Sequence, residues 1–182
     1  MSTPFATLPV PRWVTSDTHL GHAKILDYCP WRRTWAADIK AHDESIIAAW
    51  NRVVGAQDWV LHLGDVAFGS AGQIWAYRRR LNGRICVVLG NHDRTRTSML
   101  GAGFDVVVGA GVIIADGSRW ICRHDPALVS AEDALGATRL LHGHHHGDTH
   151  RGQVPAHLCD LARDCGIDAL RSPGPVAWDS VR

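Results

Sequence analysis

The amino-acid sequence predicts an α/β domain built on mixed β-sheets, and three observations carry that expectation. Strand-like runs alternate with helical periodicity in the first half of the chain, up to about residue 89. Hairpin signals take over after residue 104. A chain that passes from crossover units to hairpins combines parallel and antiparallel pairing. The third observation is size. The chain has 182 residues, is 46% hydrophobic and shows no internal repeat, linker or low-complexity block. It is expected to form one domain over residues 1–182, with residues 1–12 as a short N-terminal extension.

Taken in order, residues 13–16 read as a short strand ending at Asp17. Residues 34–54 read as a helix, with Ile39, Ile46, Trp50 and Val53 near one face. Residues 58–63 form a second strand that runs into Gly64-Asp65. Ser70 is an N-cap for a helix reaching about Leu81. Asn82-Gly83 turns the chain into a buried strand over residues 84–89, closed by Gly90-Asn91-His92-Asp93. Residues 104–108 and 112–115 are strands, and Asp116-Gly117 is a hairpin turn that returns the chain over residues 119–123 to His124. Residues 139–142 are a further strand ending at Gly143, and residues 165–170 and 176–178 are expected as closing strands. Trp13, Trp50, Trp59 and Trp75 are expected in the core.

Composition limits the function classes. The formal net charge is +1, and the one arginine run, Arg78-Arg79-Arg80, falls in a predicted helix, where a solvated face is the ordinary reading. Extended nucleic-acid binding is not expected. The first residues lack a charged segment followed by an apolar one, and no apolar run approaches the roughly 18 residues that span a bilayer. No signal peptide and no membrane partner are expected. Five cysteines, with Cys86 and Cys122 inside apolar runs, suggest buried thiols and a cytoplasmic protein without a disulfide framework.

The unusual feature is 12 histidines, four of them within residues 142–146. At strand after strand, the residue just past the C-terminal end is Asp, Asn or His: Asp17, Asp65, Asn91, His124 and His144. Ligand sites in open α/β sheets form in the crevice beyond those ends. Asp17 and His19, two apart on a loop, can bind one ion, although a lone cap and a surface histidine explain the pair equally well. Asp65 has two carboxylate oxygens and can bridge two cations. Asn91 can ligate through its amide oxygen without adding charge, His92 can point past the metals, and Asp93 can hold the His92 ring and favour its protonated form. His144 and His146 can face neighbouring ions while His145 points away.

The ordered set Asp-x-His, Gly-Asp, Gly-Asn-His-Asp, His and Gly-His-x-His resembles the calcineurin-like metallophosphoesterase superfamily over residues 17–146. The resemblance implies mixed β-sheets packed as a sandwich flanked by helices, a four-layer α/β/β/α arrangement. It implies one metal held by Asp17, His19, Asp65 and His146, and a second held by Asp65, Asn91, His124 and His144. It also implies attack on a small phosphate ester by a hydroxide bridging two divalent ions about 3.5–4 Å apart, with His92 assisting the leaving group and Asp93 supporting it. Nitrogen and oxygen donors without thiolate suit Mn²⁺ foremost, then Fe, Zn²⁺ or Ni²⁺. Few arginines are candidates for holding a monoester dianion, so a phosphodiesterase is expected. A phosphomonoesterase on the same site is the alternative, and a noncatalytic scaffold of the same fold, such as a retromer subunit, a lesser one. A repair nuclease is disfavoured by chain length and the lack of a basic groove. The sequence does not set the oligomeric state.

A narrower likeness is also present. Asp17-Thr18-His19-Leu20-Gly21-His22, Trp50-Asn51, residues 62–69, Asp168 and Pro175-Val176 resemble a compact bacterial and phage subgroup. Ala169-Leu170-Arg171 departs from its Trp-Asn-Tyr-like pattern. Among the remaining residues, His62 is expected beneath the ligands and His22 near the pocket, while His42, His150 and His157 are expected at the surface. Arg32, Arg33 and Arg94 are candidate phosphate contacts against a default of surface arginine. Specificity is expected in the loops at residues 28–34, 68–73 and 148–154.

Overall fold

The computed structural model describes residues 5–147 and 154–181. These residues form two five-stranded sheets. The strands are β1 (Ala6–Thr7), β2 (Trp13–Thr15), β3 (Trp59–His62), β4 (Arg84–Val88), β5 (Val106–Val108), β6 (Gly111–Ala115), β7 (Ser118–Cys122), β8 (Arg139–His142), β9 (Ala162–Asp164) and β10 (Val176–Ala177). One sheet has the order β10-β2-β3-β4-β5, parallel except at β10. The other has the order β1-β6-β7-β8-β9, with the β6–β7 hairpin as its antiparallel pair. Both sheets are therefore mixed, and the fold is α/β as the sequence predicts.

Side-chain alternation explains the layers. In the first sheet Val14, Leu61, Cys86 and Val88 turn inward against Ile113, Trp120, Cys122 and Leu141 of the second, and all are buried. Their neighbours Val60, Ile85, Val87 and Val107 turn outward, where Ile46, Trp50, Ile74 and Met99 of the helices cover them. A two-residue period gives each strand two apolar faces, and each needs a partner. The helices are α1 (Ile25–Tyr28), α2 (Ile39–Val53), α3 (Ala71–Arg78), α4 (Arg96–Gly101) and α5 (Ile167–Leu170). On the far face, Ile121 and Leu140 pack with Val129 and Leu158 from loops and short 3-10 segments.

Several elements differ from the sequence expectation, each for a local reason. The helix expected over residues 34–54 is broken. Pro30–Thr34 is a 3-10 segment, and α2 begins only after Asp38, whose carboxylate accepts the Ala41 N–H at 2.8 Å. Trp35 and Ala36 pack with Ile25, Leu26 and Cys29, so they cannot lie on the α2 axis. Residues 165–170 are not a strand. The β8–β9 ladder stops at Asp164, whose carboxylate accepts the Gly166 and Gly147 N–H groups, and after a single bridge from Gly166 to Ser16 the chain turns into α5. Trp75 is not in the core: it is 48% exposed, because α3 buries only Ile74, and the Arg79 guanidinium covers its ring. Helix α4, capped by Thr95, carries no strong sequence signal and was not expected.

Other elements match. Ser70 closes a capping box with Gln73 at the start of α3. Asp116 and Gly117 both have positive φ, 50° and 73°, as a two-residue hairpin turn requires. Trp50 is fully buried, and Trp13 and Trp59 are half-buried against the core clusters. The N-terminal extension, read from the sequence without a strand, instead adds one: β1 pairs with β6, and Leu8 is buried in the core between the sheets. All five thiols are free, with Cys86 and Cys122 buried. No helix among the described residues is long and apolar enough to cross a membrane.

Candidate metal centre

Parallel register places the ends of β2, β3 and β4 at one rim, since Thr15 pairs with His62 and His62 with Val87. The loops that follow run side by side: the Asp17, His19 and Leu20 N–H groups donate to the Gly64, Asp65 and Val66 carbonyls, each at 3.0 Å. The second sheet supplies His124 after β7 and residues 144–146 after β8. Among the described residues, seven other than glycine have positive φ, and five of them are candidate ligands. These are Asp17 (56°), His19 (49°), Asp65 (55°), His144 (72°) and His146 (53°). For L-residues this backbone costs about 1–2 kcal/mol each. Strain of that kind persists only where the surroundings over-determine it, and it gathers at functional sites.

The five turns bring seven side chains to one place. Asp17, His19, Asp65 and His124 are buried, His144 and His146 are half-buried, and Asn91 is exposed at the rim. Among the described residues three groups of donor atoms lie within 4.8 Å of one another: Asp17, His19 and His146; Asp17, Asp65 and His124; and, behind the His146 ring, Cys29, His146 and Asp168. Asp65 Oδ2 is 3.6 Å from His19 Nε2 and 3.4 Å from His124 Nε2, while Oδ1 accepts the His92 N–H at 3.0 Å. One carboxylate oxygen thus faces both halves of the cluster. Asn91 Oδ1 is 3.1 Å from His124 Nε2 and 3.0 Å from His144 Nδ1.

The ring nitrogens are oriented by groups behind them. His124 Nδ1–H donates to the Leu63 carbonyl at 2.7 Å, which turns Nε2 toward the Asp65 carboxylate. His146 Nδ1–H donates to Asp168 Oδ2 at 2.6 Å, which turns its Nε2 toward His19 Nε2, 3.2 Å away. Two imidazole nitrogens that converge on one point beside two carboxylates fit a cation. Two carboxylates, one amide and four imidazoles without thiolate fit a transition-metal ion better than calcium.

The electrostatics point the same way. Burial pushes the Asp17 carboxyl up to about 6, reinforced by Asp65 and Asp164 and opposed by His124 and His146. Burial acts to lower His124, but the Asp65 hydrogen bond and the Asp17 charge raise it to about 9. Burial likewise opposes protonation of His146, but Asp168, Cys29 and Asp17 raise it to about 10. The cluster holds protons where its carboxylates demand positive charge, and cation binding would release them.

Two glycines are required by close approach. A Cβ at Gly90 would strike the Asp65 carboxylate, and one at Gly143 would strike Ser16 Oγ and the Asp17 carboxylate. The third expected role changes: Asp93 does not hold the His92 ring among the described residues. Its carboxylate accepts the Asp65, Val66 and Gly90 N–H groups, each at 2.9 Å, because the tight turn leaves those donors without other acceptors. The exposed His92 ring lies 5.0 Å from the Phe68 ring and 5.8 Å from that of His19.

The remaining residues divide clearly. His22 does lie at the site, 4.1 Å from Phe68 and 5.5 Å from His19 between ring centres. His62 lies beneath it: Nδ1 accepts the Gly64 N–H, so Nε2–H donates to Thr18 Oγ1, which in turn donates to the Val66 carbonyl. Burial pushes His62 down to about 3. His42 is not a surface residue. It is fully buried, because Nδ1 pairs with Asp43 and Nε2 faces Arg32. Arg32 is neither surface nor a phosphate contact, being fully buried on Asp168. Arg33 pairs with Asp27 at the surface, and Arg94 donates to the Gly69 carbonyl. His157 is exposed, while His150 and residues 148–153 lie outside the described residues. Sequence reasoning named Arg32 but not its buried pairing with Asp168, missed Cys29 beside the His146 ring, and found Asp168 only through the subgroup likeness.

A family model described as calcineurin-like phosphoesterase matches residues 10–169, which include all seven candidate ligands and His92. The chain belongs to this family. Two mixed sheets with a rim of Asp, Asn and His at the strand ends are the calcineurin-like phosphoesterase fold. The Gene 66 protein of Mycobacterium phage L5 is 42% identical over 86 residues, covering 44% of this chain and 39% of the phage protein. The chain matches only about two fifths of the length of the phage L5 and D29 proteins, 39% and 40%. An uncharacterised protein of Methanocaldococcus jannaschii is 30% identical over 145 residues, covering 79% of this chain and 73% of that one. A protein of unknown function from Aquifex aeolicus shares the fold, with TM-score 0.71 and 22% identity over 92% of this chain and 95% of that one.

Proposed function

We propose that this calcineurin-like phosphoesterase hydrolyses a small phosphodiester on a centre of two divalent cations. The observation that carries the reading is Asp65 Oδ2, shared between His19 on one side and His124 on the other. Asp17, His19, Asp65 and His146 would hold one ion, and Asp65, Asn91, His124 and His144 the other. Bound there, such ions lower the pKa of a coordinated water to about 7 and offset charge on the phosphoryl oxygens.

The chain's own groups do the rest. His92 stands exposed at the rim over Phe68 and donates a proton to the departing oxygen. Asp93 fixes the loop that carries Asn91 and His92 through three main-chain hydrogen bonds. Preference for a diester is supported by the arginines. Of the three candidate arginines, Arg32 and Arg33 are each paired with a carboxylate, which leaves only Arg94, hydrogen-bonded to the Gly69 carbonyl, to neutralise the second charge of a monoester.

The test is a Mn²⁺ titration of metal-stripped protein, followed by turnover of an aryl phosphodiester and the matching monoester. Two equivalents and faster diester turnover are expected, and Asp65→Asn should weaken both sites and lower turnover by roughly 10²–10³-fold. Faster monoester turnover would reverse the substrate assignment. Unchanged metal content in Asp65→Asn, or no turnover of either ester, would overturn the reading.

A further inference from the structure

We infer that Asp168, clamped by Arg32, is a positioning residue for one of the two cation positions, the one faced by Asp17, His19 and His146, and that the other position does not depend on it. The inference rests on the proposed two-cation reading.

An imidazole presents Nε2 to a cation only when the proton on Nδ1 has its own acceptor. For His146 that acceptor is Asp168 Oδ2 at 2.6 Å. Cys29 Sγ also approaches Nδ1, at 3.4 Å, but the ring has one Nδ1 proton and the carboxylate is the stronger, nearer acceptor. Both Asp168 oxygens are further engaged: Oδ1 by Arg32 Nε at 2.9 Å and by the Trp31 indole N–H, and Oδ2 by Arg32 Nη2 at 2.5 Å. Asp168 therefore has little freedom, and neither has the ring it orients.

Arg32 reaches the opposite side of the same ligand set. Nη2 donates to the Asp17 carbonyl at 2.8 Å and Nη1 to the Thr18 carbonyl at 3.3 Å. One guanidinium thus fixes the strained main chain that carries Asp17 and His19, and, through Asp168, the ring of His146. His42 backs Nη1 at 3.0 Å and passes the contact to Asp43, which accepts the Gly21 N–H and the Tyr77 hydroxyl. Among the described residues, no carboxylate orients a ring in the other half. His124 is oriented by a main-chain carbonyl, that of Leu63, and Asn91 is exposed.

The cost of the arrangement argues for a role beyond stability. Arg32 is fully buried and the Asp168 side chain is 2% exposed. A buried ion pair is seldom more stabilising than apolar residues of the same volume, so geometry is what this one supplies. The sequence places it accordingly: α5 begins beside Asp17, where the Ile167 N–H donates to the Ser16 carbonyl at 3.1 Å.

The experiment titrates metal-stripped full-length chain with Mn²⁺ by calorimetry and records the electron paramagnetic resonance spectrum at two equivalents. Two variants are compared with the wild type: Asp168→Asn, and Arg32→Met with Asp168→Asn, which removes the guanidinium so that no buried charge is left unpaired. Circular dichroism checks the fold. In both variants one equivalent should bind as in the wild type and the other about 10–100-fold more weakly, the range for losing such an orienting partner. The coupled two-ion spectrum should give way to that of a single ion. Two equivalents at wild-type affinity overturn the inference, as does equal loss of both equivalents or of the fold. A wild-type chain that binds a single Mn²⁺ overturns the two-cation reading and this inference with it.

Discussion

Asp17, His19, Asp65 and His124 are each 3% exposed or less, whereas Asn91 and His92, on the loop after β4, stand in solvent. The two regions are held differently. The buried part sits on strained turns braced by main-chain ladders and by Arg32 and Asp168. The exposed part sits on one loop that Asp93 ties to the Asp65 turn, accepting the Asp65, Val66 and Gly90 N–H groups. The difference teaches a division of labour: buried residues are set before any ligand arrives, while the rim can meet substrates of different shape.

The sharpest way to break that comparison is His92→Ala. If the rim serves chemistry and the interior serves binding, the variant keeps two cations and its thermal midpoint. Turnover of an alkyl diester should fall by about 10²–10⁴-fold, and less with a nitrophenyl leaving group that needs no proton. Near wild-type kcat on the alkyl diester would remove His92 from the reaction.

The buried side is probed by Gly143→Ala. Its new methyl meets Ser16 Oγ and the Asp17 carboxylate, and overpacking of this kind costs about 1–3 kcal/mol. Metal affinity and the urea midpoint should fall together, with the aryl diester KM changing less than kcat. A variant as stable and as metal-loaded as the wild type would show that the Asp17 turn is softer than its packing implies.

The smallest effect concerns His62, buried beneath the Asp17 loop. Its folded-state pKa, about 3, lies below the 6.5 of an unfolded histidine. The unfolded chain therefore takes up the proton first as pH falls. The His62 contribution is complete above pH 6.5 and declines toward pH 3. Between pH 7.5 and 5.5 the loss is about 1 kcal/mol. His62→Gln should flatten the pH dependence of the urea midpoint by that amount in chelated protein, and an unchanged slope would contradict it.

Much of this candidate centre is legible in the sequence because its candidate ligands are short-range motifs at strand ends. Asp17 with His19, Gly64 with Asp65 and Gly143 with His144 and His146 each lie within a few residues, and the glycines mark close approaches that a Cβ would block. The β6–β7 turn is legible because Asp116-Gly117 tolerates positive φ. Arg32 and His42 are not legible, because burial of a charged or polar side chain depends on partners 10 to 136 residues away. Asp93 misled for a related reason: its neighbour in sequence is His92, but its hydrogen bonds go to a loop 27 and 28 residues earlier. The break before α2 escaped because periodicity runs on through Trp35 and Ala36, which serve another cluster.

The central claim is tested most directly by anomalous diffraction from crystals soaked in Mn²⁺. Two peaks about 3.5–4 Å apart are expected, with Asp65 Oδ2 between them, one beside His19 and His146 and the other beside Asn91, His124 and His144. A single peak, or none within reach of Asp65, would contradict the account.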